Sequence, residues 1–422
     1  MTSDYLSEGA ALSTAQRRCR LLLMLLLPNH DVTLASICQL NGGDRTLARQ
    51  DIAELAAEIQ RNHHLAINPD EAGHLYLSGT PLDQRLCLLH GLRRALRLSP
   101  QFVSGWFADA VKRRLLTQPV DKALYDEHNL TVLIQHCSQQ LAREFSARDG
   151  FFLQIWLRYS LAWHCQPEFS PRQRQWLLGK TEYVLAKEIA RCWQKRGYQT
   201  DAHLAMLLTL MFSQLHTPLA ATVTGENERA LLQAVESSIA RFQHIAGIEF
   251  RHRPDLSARL YTHLAQALER ALFAIGIDDN LSENICLHYP RLLRTTRKAM
   301  KPFEQQYAVT FSHQEMELVA IIFGAWLVQE NALHEKQVLL LTGDNPGLEQ
   351  QIEQQLRELT LLPLNIKYQD VHDFQHNSAP PGITLVISPY PTSLPLYSPP
   401  FIYTELPLGE HQLRSLRTLL ES

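Results

Sequence analysis

The segment 260–270 reads Leu-Tyr-Thr-His-Leu-Ala-Gln-Ala-Leu-Glu-Arg and indicates the fold of the region around it. Its leucines continue a four-residue spacing, which predicts an α-helix with one apolar face: Leu260, Leu264, Leu268 and Leu272. His263 and Arg270 are seven residues apart, so they lie on the same side of that helix, beside the apolar stripe. Arg270 is thus placed to steady an anion near His263. On spacing alone, the simpler interpretation is a polar helix edge with a histidine at its margin.

A second segment, 315–325, follows the pair Tyr289-Pro290 and reads Glu-Met-Glu-Leu-Val-Ala-Ile-Ile-Phe-Gly-Ala. Together the two segments resemble the PTS regulation domain (PRD), a helical module of sugar-responsive bacterial regulators that the phosphotransferase system phosphorylates on histidine. In that family a histidine stands seven residues before an arginine, and an acidic residue stands seven before a second histidine, which Phe-Gly-Ala follows. The resemblance implies that His263 is the phosphorylation candidate, with Arg270 as its neighbour. Ile322 replaces the second histidine, so that phosphorylation site is lost.

Residues 13–80 read as three helices followed by a β-hairpin. Ser13 or Thr14 can cap the first helix, and Asn41-Gly42-Gly43 is a strong stop signal for the second. The third helix has one apolar face, and two short alternating segments after it flank a turn. This order predicts a winged helix-turn-helix domain. The segment 44–55 also resembles the recognition helix of PRD regulators.

The third helix offers four candidates for contacts with DNA, namely Arg45, Thr46, Arg49 and Gln50. Arg45 and Arg49 are one turn apart and away from the apolar face, which suits contacts to base edges and phosphates. The net charge argues the other way, because six arginines stand against seven carboxylates in 13–80 and DNA-binding domains usually present a positive face.

The following segment, 84–114, is strongly basic and could supply contacts to the DNA backbone. Its cations stand against Asp109 alone and are Arg85, Arg93, Arg94, Arg97, Lys112, Arg113 and Arg114. A solvated helix surface is the simpler interpretation of such a charge run.

Residues 81–225 are helical by periodicity and resemble a degenerate first PRD. The segment 149–157 occupies the place of the first phosphorylatable histidine and contains none. The segment 201–209 matches the second pattern, with Thr209 in the histidine position, so this site is also lost. The second PRD is expected to cover 228–332.

From residue 336 to 422, apolar strands alternate with helices, which predicts a small α/β domain. Its order and length resemble the enzyme IIB-like module that closes many PRD regulators. In that family the first strand ends in a phosphorylatable cysteine inside a Gly-rich loop at a helix N-terminus, where free N–H groups favour an anion. Here Thr342 takes the cysteine position and Asp344 would repel phosphate, so phosphocysteine chemistry is lost.

Composition and motif searches exclude several other classes of protein. The chain has 422 residues, 45% apolar content and a net charge of −3, which fits two to four domains and gives no whole-chain signal for nucleic acid or membrane. Its seven cysteines form no Cys-x-x-Cys pair, so a disulfide framework and a zinc site are not expected, and a reducing cytoplasm fits. The apolar run 21–27 is too short to cross a bilayer and is expected to be a buried helix. No catalytic, phosphate-binding or dinucleotide motif is present, so no enzyme activity, metal or cofactor is expected.

The resemblance as a whole implies a mainly α fold with four parts: a winged helix-turn-helix (13–80), a helical linker with a degenerate first PRD (81–225), a second all-helical PRD (228–332) and an enzyme IIB-like α/β domain (336–422). We expect a non-enzymatic transcriptional regulator that binds DNA and has lost most phosphotransferase control. Expected partners are DNA, the phosphocarrier protein HPr and a second copy in a homodimer, with no membrane. The alternative is a protein–protein regulator that neither touches DNA nor accepts phosphate. An RNA antiterminator is disfavoured, because those relatives begin with a short β-rich domain.

Overall fold

The computed structural model divides the chain into two compact units. Unit 1 comprises Met1–Pro218 and Leu272–Asp278, and unit 2 comprises Leu219–Ala271 and Asp279–Ser422. The structure describes residues 12–28, 31–215, 220, 223, 225–277, 288–329, 336–361, 364–405 and 408–421. Within those ranges, no helix combines the length and the apolar content that a bilayer crossing requires.

Unit 1 begins with three helices and a two-stranded antiparallel hairpin, in the order that the sequence predicts. These elements are α1 (Thr14–Leu25), α2 (Leu34–Asn41), α3 (Arg45–His63), β1 (Ala66–Pro69) and β2 (Leu75–Ser78). Side chains at the helix starts explain the boundaries: Ser13, Thr33 and Asp44 each accept a hydrogen bond from a backbone N–H of the first turn. Gly42 ends α2 in the left-handed conformation that the predicted stop signal requires, at φ 67°.

Helices make up most of the rest of the described part of unit 1. They are α4 (Pro81–Leu98), α5 (Ala108–Leu116), which a π-helical turn (Phe102–Phe107) precedes, α6 (Glu127–Gln140), α7 (Ala147–Ala162), α8 (Pro171–Leu178), α9 (Glu182–Lys195) and α10 (Ala202–Leu215). The leucine-rich run 21–27 is buried throughout, as the sequence predicts for a core segment. It packs in one apolar cluster with side chains from α4, α7 and α10.

Unit 2 starts with helices that carry the two segments quoted first. They are α11 (Glu226–Ala246), α12 (Arg253–Phe273), whose last two residues belong to unit 1, α13 (Pro290–Tyr307) and α14 (His313–Gln329). Phe242 of α11 and Phe323 of α14 stack with their ring centroids 4.0 Å apart. Gly324 lets α13 approach, because a Cβ at this position would lie 2.9 Å from Leu292 Cδ2. The Phe-Gly pair of the second segment therefore packs the helical part of unit 2.

A small α/β domain follows in unit 2, as the sequence predicts. Its elements are β3 (Lys336–Thr342), α15 (Pro346–Leu359), β4 (Leu364–Asp370), α16 (Val371–Asn377), β5 (Leu385–Ser388), β6 (Phe401–Tyr403) and α17 (Glu410–Glu421). The strand order is β4-β3-β5-β6, and all three pairings are parallel. The buried strands β3 and β5 are the continuous apolar runs expected of a parallel sheet that is covered on both faces. The short helix α16 was not predicted, and Asp370 caps it by accepting hydrogen bonds from His372 N and Asp373 N.

Candidate functional site

Three polar side chains of unit 2 meet where α12 and α14 come together. His263 and Arg270 extend from the same side of α12, as their seven-residue spacing predicts. Between them lies Glu315, in the first turn of α14. Arg270 Nε donates a hydrogen bond to Glu315 Oε1, and His263 Nε2 lies 3.3 Å from Glu315 Oε2.

Burial makes this cluster electrostatically significant. The exposed fraction of the side chain is 5% for Glu315, 17% for His263 and 18% for Arg270. Burial opposes ionisation of Glu315, yet the close contacts with His263 and Arg270 outweigh it and hold the pKa of this carboxyl below its ordinary value. Glu315 is therefore a carboxylate near neutral pH. Its two oxygens contact the two basic side chains separately, Oε1 with Arg270 and Oε2 with His263.

The structure shows which anion lies beside these two side chains. The sequence places Arg270 to steady an anion near His263, and the carboxylate of Glu315 contacts both side chains. Sequence reasoning identified Glu315 as part of the family pattern but did not recognise it as the partner of His263 and Arg270. Its fixed spacing in that pattern was the signal that could have shown this.

The two PRD positions without a histidine lie in different surroundings. Ile322 is half-buried on α14. Thr209 is fully buried on α10, and its Oγ1 donates a hydrogen bond to the Ala205 carbonyl at 2.7 Å. Thr209 therefore has no exposed hydroxyl in this structure.

The loop after β3 is closed by an internal carboxylate. Thr342 is the last residue of β3, and the next residue, Gly343, donates its backbone N–H to Glu349 Oε1 at 2.6 Å. The Tyr390 hydroxyl donates to the same oxygen at 2.9 Å. Glu349 is buried and belongs to the first turn of α15, where the helix dipole favours a negative charge. Asp344, which the sequence predicts to repel phosphate, is exposed in this loop, and Glu349 is a second carboxylate, which binds the loop from inside.

The four candidates for DNA contacts share one surface of α3. Arg45, Thr46, Arg49 and Gln50 are all exposed at its N-terminal end. Gln50 Nε2 donates to Glu54 Oε1 at 2.9 Å, whereas Arg45 and Arg49 form no ion pair with any residue that the structure describes.

The acidic residues of α3 are paired with arginines of its neighbours. Arg17 Nε contacts Asp51 Oδ2 at 2.7 Å, and Arg18 Nη2 contacts Glu54 Oε2 at 3.0 Å. Two further pairs involve Glu58, with Arg18 at 3.9 Å and with Arg94. The carboxylates of α3 are therefore engaged in ion pairs, and Arg94 adds one cation from outside 13–80.

The basic segment 84–114 is only partly available at the surface. Arg85 is buried, with its guanidinium 4.7 Å from the centre of the Tyr159 ring and one nitrogen donating to the Trp163 carbonyl. It therefore cannot contact a DNA backbone in this structure, contrary to the expectation from sequence. Arg97, Lys112 and Arg113 are exposed.

Comparison with known proteins places this geometry in a family. The PRD domain family matches residues 236–326, and the family described as "Stationary phase-inducible protein CsiE, C-terminal domain" matches residues 336–420. The chain is also 45% identical over 421 residues to the stationary phase-inducible protein CsiE of Escherichia coli (strain K12), covering 99% of each chain. PRD domains are regulatory modules and typically non-enzymatic. The chain therefore belongs to the CsiE family, as a member that contains a PRD domain and the CsiE C-terminal domain.

Proposed function

We propose that this protein is a transcriptional regulator that binds DNA through residues 13–80, folded as a winged helix-turn-helix with α3 as its recognition helix. The observation that carries the proposal is the pair of exposed arginines, Arg45 and Arg49, at the N-terminal end of α3. Recognition helices commonly contact base edges with this end. In this proposal the β1–β2 hairpin is the wing.

The paired carboxylates bear on the net charge, which argues against this proposal. Asp51, Glu54 and Glu58 each contact an arginine, and Arg94 supplies one cation from outside 13–80, which offsets the single negative charge in excess. Arg45 and Arg49, which form no ion pair with a described residue, lie one turn apart. Phosphate neutralisation supplies much of the affinity for DNA, so these two side chains are expected to matter most.

Replacing Arg45 and Arg49 together by alanine should abolish sequence-specific DNA binding and leave the fold intact. Loss of two phosphate contacts should also reduce the slope of log K against log salt by about 2. Genome-wide occupancy of the tagged protein would supply the sites, and fluorescence anisotropy at several salt concentrations would measure the slope. Arg61→Ala is the matched control, because Arg61 is an exposed arginine at the opposite end of α3.

The alternative is a regulator that acts only through protein contacts. It is favoured if the wild-type chain shows no salt-sensitive DNA binding at low ionic strength.

We also propose a homodimer, because half-sites on DNA favour two-fold assemblies. The apolar helix α14 is not needed as its interface, since Val319, Phe323 and Leu327 are already buried within unit 2.

We further propose that His263 accepts little or no phosphate from HPr. A phosphoryl group would bring about 1.5 to 2 negative charges next to the Glu315 carboxylate, which lies 3.3 Å from His263 Nε2. Like charges at this distance oppose each other strongly in a buried setting. Phosphorylation of Nε2 would require Glu315 Oε2 to move away from His263.

Incubation with HPr and its phosphorylating enzyme tests this proposal. Wild-type protein should label weakly or not at all, and Glu315→Gln should label more strongly because it removes the opposing charge. Strong labelling of the wild type that disappears in His263→Ala would overturn the proposal. Strong labelling that survives His263→Ala would show that another residue is the acceptor.

A further inference from the structure

The last two residues of α12 and the residues that follow them are part of unit 1, although the rest of α12 belongs to unit 2. We name residues 272–276 the α12 tail. Gln173 Nε2 donates a hydrogen bond to the Leu272 carbonyl at 3.0 Å. Phe273 and Ile275 are buried in an apolar cluster of unit 1, whose other buried members are Leu82, Leu86, Phe169, Leu177, Met206 and Leu210. The tail is therefore held in unit 1 both by a hydrogen bond and by apolar packing.

The tail ends on the last turn of α3. Gly276 donates its backbone N–H to the Asn62 carbonyl at 2.9 Å. This carbonyl is among the last four of α3. The last four carbonyls of an α-helix accept no hydrogen bond from a later turn, so the tail supplies the backbone donor that this carbonyl would otherwise lack. Asn62 is itself buried.

Only glycine fits at position 276. A Cβ there would lie 2.8 Å from Asn62 Cα and 2.5 Å from Asn62 Oδ1. The first of these neighbours is backbone, which cannot rotate away as a flexible side chain can. The preceding Ala274 has a positive φ of 53°, so the chain turns sharply between α12 and this contact.

We propose that the α12 tail is a latch on the C-terminal end of α3, and that changes in the cluster of His263, Arg270 and Glu315 act on α3 through it. Arg270 is three residues before Phe273 in the same continuous helix. A change that frees Arg270 from Glu315 loosens the last turn of α12, which leads directly into the tail. The latch does not depend on DNA binding by α3, although the proposed function would make it a route of regulation.

Hydrogen exchange of the full chain, without DNA, tests the latch. Gly276→Ala should speed exchange in the last two turns of α3 by about tenfold, since it displaces a hydrogen bond and a packed segment. Gly150→Ala is the matched control, because a Cβ at Gly150 meets no atom within 4 Å. Exchange in that control should match wild type throughout α3.

Arg270→Ala leaves the tail sequence intact and tests the coupling. It should also speed exchange at the end of α3, by a smaller factor than Gly276→Ala. Unchanged α3 exchange in Gly276→Ala overturns the latch, and unchanged α3 exchange in Arg270→Ala overturns its link to the cluster. If Gly276→Ala loses protection in all helices, Phe273→Leu is a milder variant, since it keeps an apolar side chain in the cluster and loses the edge-on ring contact with Phe169. In Phe273→Leu, loss of protection confined to α3 supports the latch, and protection of α3 equal to that of wild type overturns it.

Discussion

Replacing Glu315 by alanine is expected to lower the free energy of unfolding of unit 2 by about 3 kcal/mol near neutral pH. The carboxylate is almost fully buried and contacts both Arg270 and His263. Its removal leaves the mostly buried Arg270 guanidinium without that partner. Removing one member of a buried pair costs more than the pair contributes, because the remaining charge stays desolvated.

The pH dependence of this loss follows from the lowered pKa of Glu315. The contribution of the ionised carboxylate is fully present above the ordinary carboxyl pKa and is lost as pH falls through the lowered value in the folded protein. The difference in stability between wild type and Glu315→Ala should therefore be largest near neutral pH and shrink in acid.

Hydrogen exchange of peptides from α12 and α14, measured as a function of urea, would report the stability of unit 2 separately from that of unit 1. Glu249→Ala is the matched control, because Glu249 is an exposed carboxylate of the same unit, and a change within about 0.5 kcal/mol is expected there. A change equally small in Glu315→Ala would show that the cluster does not stabilise the fold.

Local patterns in the sequence predict the three helices and the hairpin of 13–80 and the strands of the α/β domain, whereas 81–225 is predicted only as helical, without the bounds of its helices. The boundaries of α1 and α2 follow from Ser13, Thr33 and Gly42, whose effects act within one helical turn. The strands of the parallel sheet follow from short apolar runs. The helix α16 escaped prediction because it spans only seven residues and depends on one capping side chain, Asp370.

In the candidate site, only the relation between residues of the same helix was predictable from the sequence. The spacing of His263 and Arg270 fixes their common side, because it is a property of α-helical geometry. Glu315 is 45 residues from Arg270, on another helix, and no local rule places it between the other two. The same limit applies to Glu349 and Tyr390, which meet across 41 residues. Contacts of this kind depend on how the elements pack.

Replacing His63 by phenylalanine is expected to make the stability of unit 1 less sensitive to acid. His63 is the last residue of α3, and its ring centroid lies 5.4 Å from that of His90. Its Nδ1 is fully buried and has no hydrogen-bond partner among the residues that the structure describes. Burial, with a smaller contribution from the neighbouring His64, lowers the pKa of His63 to about 4. The folded protein therefore holds this imidazole in its neutral form.

The sign of the effect follows from proton binding. Below an ordinary histidine pKa of about 6.5, the unfolded chain takes up a proton that the folded chain refuses until the pH approaches 4. The free energy of unfolding therefore decreases as the pH is lowered through this window. His63 alone should lower it by about 2 kcal/mol between pH 7 and pH 5. Phenylalanine cannot bind the proton and retains a ring to pack against His90, so His63→Phe should remove this part of the loss.

Urea unfolding at both pH values, followed by hydrogen exchange in α3 and α4, measures the difference. His128→Phe, at an exposed position of α6, should retain the full acid sensitivity. An identical loss in wild type and His63→Phe would mean that His63 is protonated in the folded protein at little cost, and that its buried nitrogen finds a partner when charged.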